Sequence, residues 1–186
     1  MKFTHPLLIS LMAATIMVPV AVAARPASPA APIDPHHREL ASLAGTWSVR
    51  QSFWSKASAA PKIDRGTAEF AMILNRQHLR QTLRIDDGTH FEGLGYIGYD
   101  NGTGEFFSTW MDVNFPGMVV ARGRFDAGTR TYIFRGSMAA PTPGGSEIPV
   151  REVMAIIDRD HFTYEYFEAH GGPEMLTVRL EYSRVR

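Results

Sequence analysis

Two carboxylates, Asp112 and Glu152, are the candidates for acid–base chemistry in this chain. They close the stretches Ser108-Thr109-Trp110-Met111-Asp112 and Pro149-Val150-Arg151-Glu152. Such a group works when it stands within hydrogen-bond reach of the proton it moves, and two strand-borne carboxylates can meet across the interior of a barrel. The same side chains have a plainer use as ion-pair partners of Arg122, Arg135 or Arg151, and ion pairing is the stronger expectation.

Side-chain alternation adds polar groups on apolar faces. Trp47, Val49, Gln51 and Phe53 alternate with Thr46, Ser48, Arg50 and Ser52, and Leu79, Gln81, Leu83 and Ile85 with His78, Arg80, Thr82 and Arg84. Glu152 falls in line with Val150, Met154 and Ile156, although both faces of that segment are apolar enough to leave its orientation open. The segment with Phe107, Thr109, Met111 and Val113 against Phe106, Ser108, Trp110 and Asp112 is equally ambiguous. A polar group on a buried face must find a hydrogen bond or border a wet or occupied cavity. The candidate ligand set is therefore Trp47, Phe53, Leu79, Leu83 and Met154 as apolar walls, with Gln51, Gln81 and Glu152 to orient a polar end. The alternative is that these polar groups pair with one another or sit at a rim.

Other motifs carry less. Gly93-Leu94-Gly95-Tyr96-Ile97-Gly98 has the spacing of a dinucleotide-binding loop, which needs a helix opening within it. Here Tyr99-Asp100-Asn101-Gly102 announces a hairpin instead, so the glycines predict a sharp bend or close backbone approach. Asn101-Gly102-Thr103 matches a glycosylation sequon but has its own explanation as a turn. No serine-nucleophile elbow occurs. None of the seven histidines has zinc-site spacing, and most of them are expected in solvent. No metal or cofactor is expected. Trp47, Trp54, Trp110, Tyr164, Tyr166 and Phe167 could line a pocket, although core packing is the commoner use of strand aromatics.

Strands are the elements that must position these residues. From Gly45 onward, apolar alternating segments recur roughly every 12–15 residues, broken by Gly, Asp and Asn. The segments are 46–54, 66–74, 77–85, 90–99, 105–113, 117–125, 130–138, 148–157, 161–169 and 175–184. Asp86-Asp87-Gly88, Asp100-Asn101-Gly102, Asp126-Ala127-Gly128 and Asp158-Arg159-Asp160 supply tight turns, and Pro141 to Gly145 a longer loop. Sequential neighbours should then pair in an up-and-down meander. One short helix opens at Asp34-Pro35, presents Leu40 and Leu43 on one face and stops at Gly45. It is placed to plug a barrel mouth.

Residues 1–23 have the plan of a secretory signal peptide: a basic start, an apolar run from Leu7 to Ala23 broken by Pro19, and Ala21-Val22-Ala23 at the cleavage end. Residues 24–33 form an Ala/Pro-rich spacer, and 34–186 a single domain. The expected compartment is periplasmic or extracellular, with no stable membrane span after cleavage. The chain has no cysteine, so its core must hold without disulfides. With 19 basic and 19 acidic residues, it lacks the basic excess of a nucleic-acid binder.

Gly45-Thr46-Trp47 after a short Leu-bearing helix is similar to the G-x-W opening of lipocalin-like, or calycin-like, barrels. Phe91-Glu92-Gly93-x-Gly95-x-x-Gly98-Tyr99-Asp100-Asn101-x-Thr103-Gly104, followed by Ser108-Thr109-Trp110-Met111-Asp112 and Pro149-Val150-Arg151-Glu152-Val153, resembles the bacterial domain-of-unknown-function family 1579 over about residues 36–184. The resemblance implies an all-β fold, an antiparallel up-and-down calycin-like barrel of about ten strands with one short N-terminal helix. It implies no catalytic residues. By fold analogy such barrels hold small apolar or amphipathic molecules.

The leading expectation is a non-catalytic barrel binding a small hydrophobic or amphipathic molecule. Two alternatives stay open: an interaction or envelope-stress module with a packed lumen, and a barrel enzyme using Asp112 and Glu152. The volume of the lumen discriminates among them. The sequence leaves ligand, protein partners and oligomeric state unassigned.

Overall fold

The computed structural model describes residues 32–140 and 144–186. The signal peptide expected at 1–23, the spacer as far as residue 31, and residues 141–143 of the expected long loop lie outside the described residues. The helix α1 spans Pro35–Ala41. Ten strands follow: β1 Gly45–Phe53, β2 Lys62–Ile73, β3 His78–Ile85, β4 Phe91–Asp100, β5 Glu105–Asp112, β6 Phe115–Asp126, β7 Thr131–Met138, β8 Ile148–Ile156, β9 His161–Glu168 and β10 Met175–Arg184. Each pairs antiparallel with its successor, and β10 returns to β1 to close the barrel.

The alternation of apolar and polar residues becomes inside and outside. Trp47, Val49, Leu79, Leu83 and Ile85 are buried. The two ambiguous strands resolve: β5 turns Phe106 and Ser108 inward, and β8 turns Val150, Glu152 and Met154 inward. One strand starts well before its hydrophobic pattern suggests, and another breaks its alternation. Polar Lys62–Arg65 extends β2 because β1 offers backbone partners as far as Phe53, which lies opposite Lys62. In β10 a register shift between Leu176 and Val178 interrupts the alternation. Leu176 lies opposite outward Phe167, while Thr177 is buried and donates its hydroxyl to the Tyr166 carbonyl at 3.1 Å.

One end of the barrel is filled and capped. Asp34 caps α1 by accepting from the His36 amide at 2.9 Å, and Pro35 occupies the first turn. His37 completes the cap, its Nδ1 accepting from the Asp34 amide at 3.0 Å while Nε2 lies 3.2 Å from the Tyr99 carbonyl. Most histidines are expected in solvent, but His37 is 3% exposed, because α1 lies against β3 and β4. Leu40 and Leu43 close over the lumen. Beneath them Trp47, Phe70, Phe162 and Tyr182 pack edge to face, with Phe162 and Tyr182 stacked at 4.1 Å.

The seam between first and last strands starts at this capped end. Arg184, opposite Trp47 in the ladder, spreads its guanidinium 4.1 Å above the Trp47 ring. It donates to the carbonyls of Ala44 and Ser42, both at 2.8 Å, and Trp47 Nε1 donates to the Leu43 carbonyl at 3.0 Å. Gly45 leaves room for this, since a Cβ there would lie 2.7 Å from an Arg184 nitrogen, and its φ of +138° suits glycine. One arginine thus ties the last strand to the helix exit and to the first core residue. Arg184→Gln should cost about 2 kcal/mol by leaving these carbonyls without their charged donor. Arg186→Gln, at an 80% exposed side chain, should cost less than about 0.5 kcal/mol. Urea denaturation of the two variants checks the contrast, and equal midpoints would show that the seam does not depend on Arg184.

Candidate functional site

The opposite end is open and incompletely filled. A cavity of about 500 Å³ enters from the ends of β1, β3, β5, β7 and β9 and the starts of the even-numbered strands. Phe53, Leu83, Phe91, Trp110, Phe115, Val119, Met138, Val178 and Leu180 form its apolar wall. Tyr164 and Tyr166 add phenol groups, and Gln51 and Gln81 add amides. Asp64, Asp87, Asp112 and Glu168 bring carboxylates, while Lys62 is the one basic residue of the lining.

Trp110 is the largest of these walls, and the glycine motif explains its position. Gly93 and Gly95 on β4 lie beside Trp110 on β5. A Cβ on Gly93 would come within 2.1 Å of the indole, and one on Gly95 within 2.9 Å. The motif, expected to mark a sharp bend or a close backbone approach, is a bed for an aromatic ring of the next strand. No helix opens there, since Phe91–Asp100 is strand throughout, and the dinucleotide reading has no structural basis. The Trp110 indole nitrogen donates to Asp112 Oδ2 at 2.9 Å. Asp112 Oδ1 accepts from the amides of Asn114 and Phe115 at 2.8 and 3.0 Å. Asp112 thus serves the β5–β6 turn and fixes the tryptophan.

The ion pairs expected for Asp112 and Glu152 do not form. Arg122 faces Asp100 at 3.5 Å and Arg151 binds Glu174 at 2.8 Å, because both arginines point outward from the barrel while the two candidate carboxylates point in. Arg151 also lies 3.7 Å above Phe167, which places that aromatic outside the lumen.

The expected ligand residues divide by depth. Gln51, Phe53, Gln81 and Leu83 line the cavity. Trp47, Leu79 and Met154 also point inward but belong to the packed half near α1, below the cavity. Alternation identifies the inner face and says nothing of height along the axis. Gln81 is tied down by its amide, which donates to the Tyr182 hydroxyl at 2.9 Å. Its partner is thus a tyrosine and not Gln51 or Glu152, the polar groups with which pairing was the expected alternative. Trp110, Tyr164 and Tyr166 are cavity residues from the aromatic set, and Phe91, Phe115, Met138 and Val178 join them without having been singled out. Their clustering toward one end of alternate strands was the available signal.

Glu152 lies in the layer between cavity and packed core. It is fully buried, and neither carboxylate oxygen has a hydrogen-bond partner. It stands opposite Tyr166 in the β8–β9 ladder. Burial pushes its carboxyl up to about 7 from an ordinary value of 4.5. The nearby hydroxyls of Ser108 and Tyr164 pull in the other direction without reaching hydrogen-bond geometry with it. Burial and the neighbouring Glu152 hold the Tyr164 phenol well above its ordinary range. Among the described residues no group of three His, Cys, Asp or Glu side chains is arranged to hold a metal ion.

A buried carboxyl that binds its proton more tightly folded than unfolded makes stability depend on pH. Its contribution is fully present below the unfolded value of 4.5 and is lost as pH rises through about 7. The loss is on the order of 3 kcal/mol. Glu152→Gln, neutral throughout, should be more stable than the parent at pH 8, with the difference closing toward pH 4.5. Urea midpoints across that range check this, and parallel profiles for the two proteins would refute the assignment.

Comparison with known proteins places the chain. The family described as a protein of unknown function (DUF1579) matches residues 33–184. The crystal structure of Rv2717c from M. tuberculosis aligns with a TM-score of 0.64 at 17% identity, over 83% of this chain and 100% of that one, and supports the barrel fold. A redesigned beta barrel, b11L5F_LGL, aligns over 80% of this chain and 96% of its own at 15% identity, with a TM-score of 0.41. No curated protein matches. With the match running from just before α1 to the end of β10, the chain belongs to the DUF1579 family.

Proposed function

We propose that this protein is a non-catalytic barrel that holds a small, predominantly apolar molecule in the open half of its lumen. The observation that carries the reading is the asymmetric filling: aromatic packing at the α1 end, and about 500 Å³ left open at the other, walled mainly by apolar side chains. That volume falls in the usual range for small-molecule sites. A packed-lumen interaction module would have little use for such a space. The enzyme alternative loses one of its two carboxylates, since Asp112 is committed to Trp110 and its turn. Export is part of the proposal, supported by the basic start, the apolar run and Ala21-Val22-Ala23.

The test uses N-phenyl-1-naphthylamine, an uncharged dye that brightens in apolar surroundings. It should bind the native protein and raise its unfolding free energy by about 2.7 kcal/mol at a hundredfold excess over Kd. Val178→Trp, which fills the cavity from its wall, should abolish the signal. Absence of binding to the native protein, or equal binding to Val178→Trp, would remove the cavity from the account.

A further inference from the structure

The charged groups around the cavity are nearly all of one sign. Asp64, Asp87, Asp112 and Glu168 face it, against one lysine. That lysine is already engaged: Lys62 Nζ lies 3.1 Å from Asp64 Oδ2 and donates to the Asp87 carbonyl at 3.1 Å. An acidic lining by itself says little. The independent observation lies beneath it. Glu152 is wholly buried and inward-facing, and both its oxygens lack a donor. Tyr166, its partner across the β8–β9 ladder, lines the cavity, which places this carboxyl beside the open space.

Resting on the cavity reading above, we propose that the site selects hydrophobic cations, molecules with an apolar body and a primary ammonium head that pairs with Glu152. An ammonium carries three donors and no acceptor, the complement of an unpartnered carboxylate. Charge-assisted hydrogen bonds of this kind are the strong ones, and leaving a buried carboxyl without them is costly. Trp110 and Tyr164 in the lining add aromatic rings that attract a cation. A fatty acid or other anionic amphiphile meets the reverse situation: carboxylates around the entrance and no free basic side chain among the lining residues to receive its head.

The discriminating measurement is competition of n-octylamine, n-octanol and n-octanoate against N-phenyl-1-naphthylamine on the full chain at neutral pH. The three probes share a tail and differ in the head. Octylamine should displace the dye at least about tenfold more effectively than either of the others. In Glu152→Gln the octylamine advantage should fall to the octanol level. An octanol or octanoate affinity equal to that of octylamine in the native protein overturns the inference whatever the variant does. So does an octylamine advantage that survives in Glu152→Gln. Dye binding with no preference among the heads leaves the cavity reading standing and ends only the cation proposal, whereas failure of the dye itself ends both. Should Glu152→Gln fail to fold, the ranking of the three heads on the native protein decides.

Discussion

The closure of β10 onto β1 is the constraint on which the rest of the structure depends. Ten antiparallel strands have two edges until the last pairs with the first, and an open edge exposes both its backbone groups and the apolar inner face. Arg184 secures the join by reaching past the sheet to the Ser42 and Ala44 carbonyls while covering Trp47. The cost of ordering one long side chain is offset several times over, because it serves the helix exit, the seam and the core aromatic together. Gly45 is part of the same arrangement, since any side chain there would collide with the guanidinium.

Once closed, the barrel is filled unevenly along its axis. Large rings converge near α1, so that end is dry and tightly packed. Toward the other end the wall residues are too few or too closely held to the sheet to meet in the middle. Trp110 shows how: Gly93 and Gly95 let its ring lie flat along β4, and Asp112 holds the indole nitrogen. Between the halves runs a polar layer, Gln81 with Tyr182 and Glu152 beside Tyr164 and Ser108. The first pair is satisfied internally. The second is not, and a buried carboxyl with both oxygens unpartnered costs stability.

The architecture was legible because strand alternation and turn chemistry reinforce each other. Asp100-Asn101-Gly102 and Asp126-Ala127-Gly128 stop their strands through Asp side chains that accept from the turn amides, and a chain of such short hairpins has few topologies available. The inner face of β1 and β3 could likewise be read directly. What alternation could not give was depth: Trp47 and Gln51 share a face in the sequence, yet one belongs to the core and the other to the cavity. Nor could it show the bulge at Thr177, or that Gly93 and Gly95 serve a tryptophan on the next strand. Asp112 and Glu152 looked alike as sequence features. Their difference is one of surroundings, a turn with two amides for one and an apolar interior for the other.

The seam has a geometric corollary for handling the molecule. Because β1 begins and β10 ends at the capped pole, Pro32 and Arg186 both emerge on the side away from the mouth, with Pro32 beside the β4–β5 turn through Asn101. A tether, reporter or solid support joined beside Pro32 or Arg186 would hold the barrel by its base, cup-like, with the rim presented outward. Loops on the rim could be redesigned in that format without disturbing the anchorage.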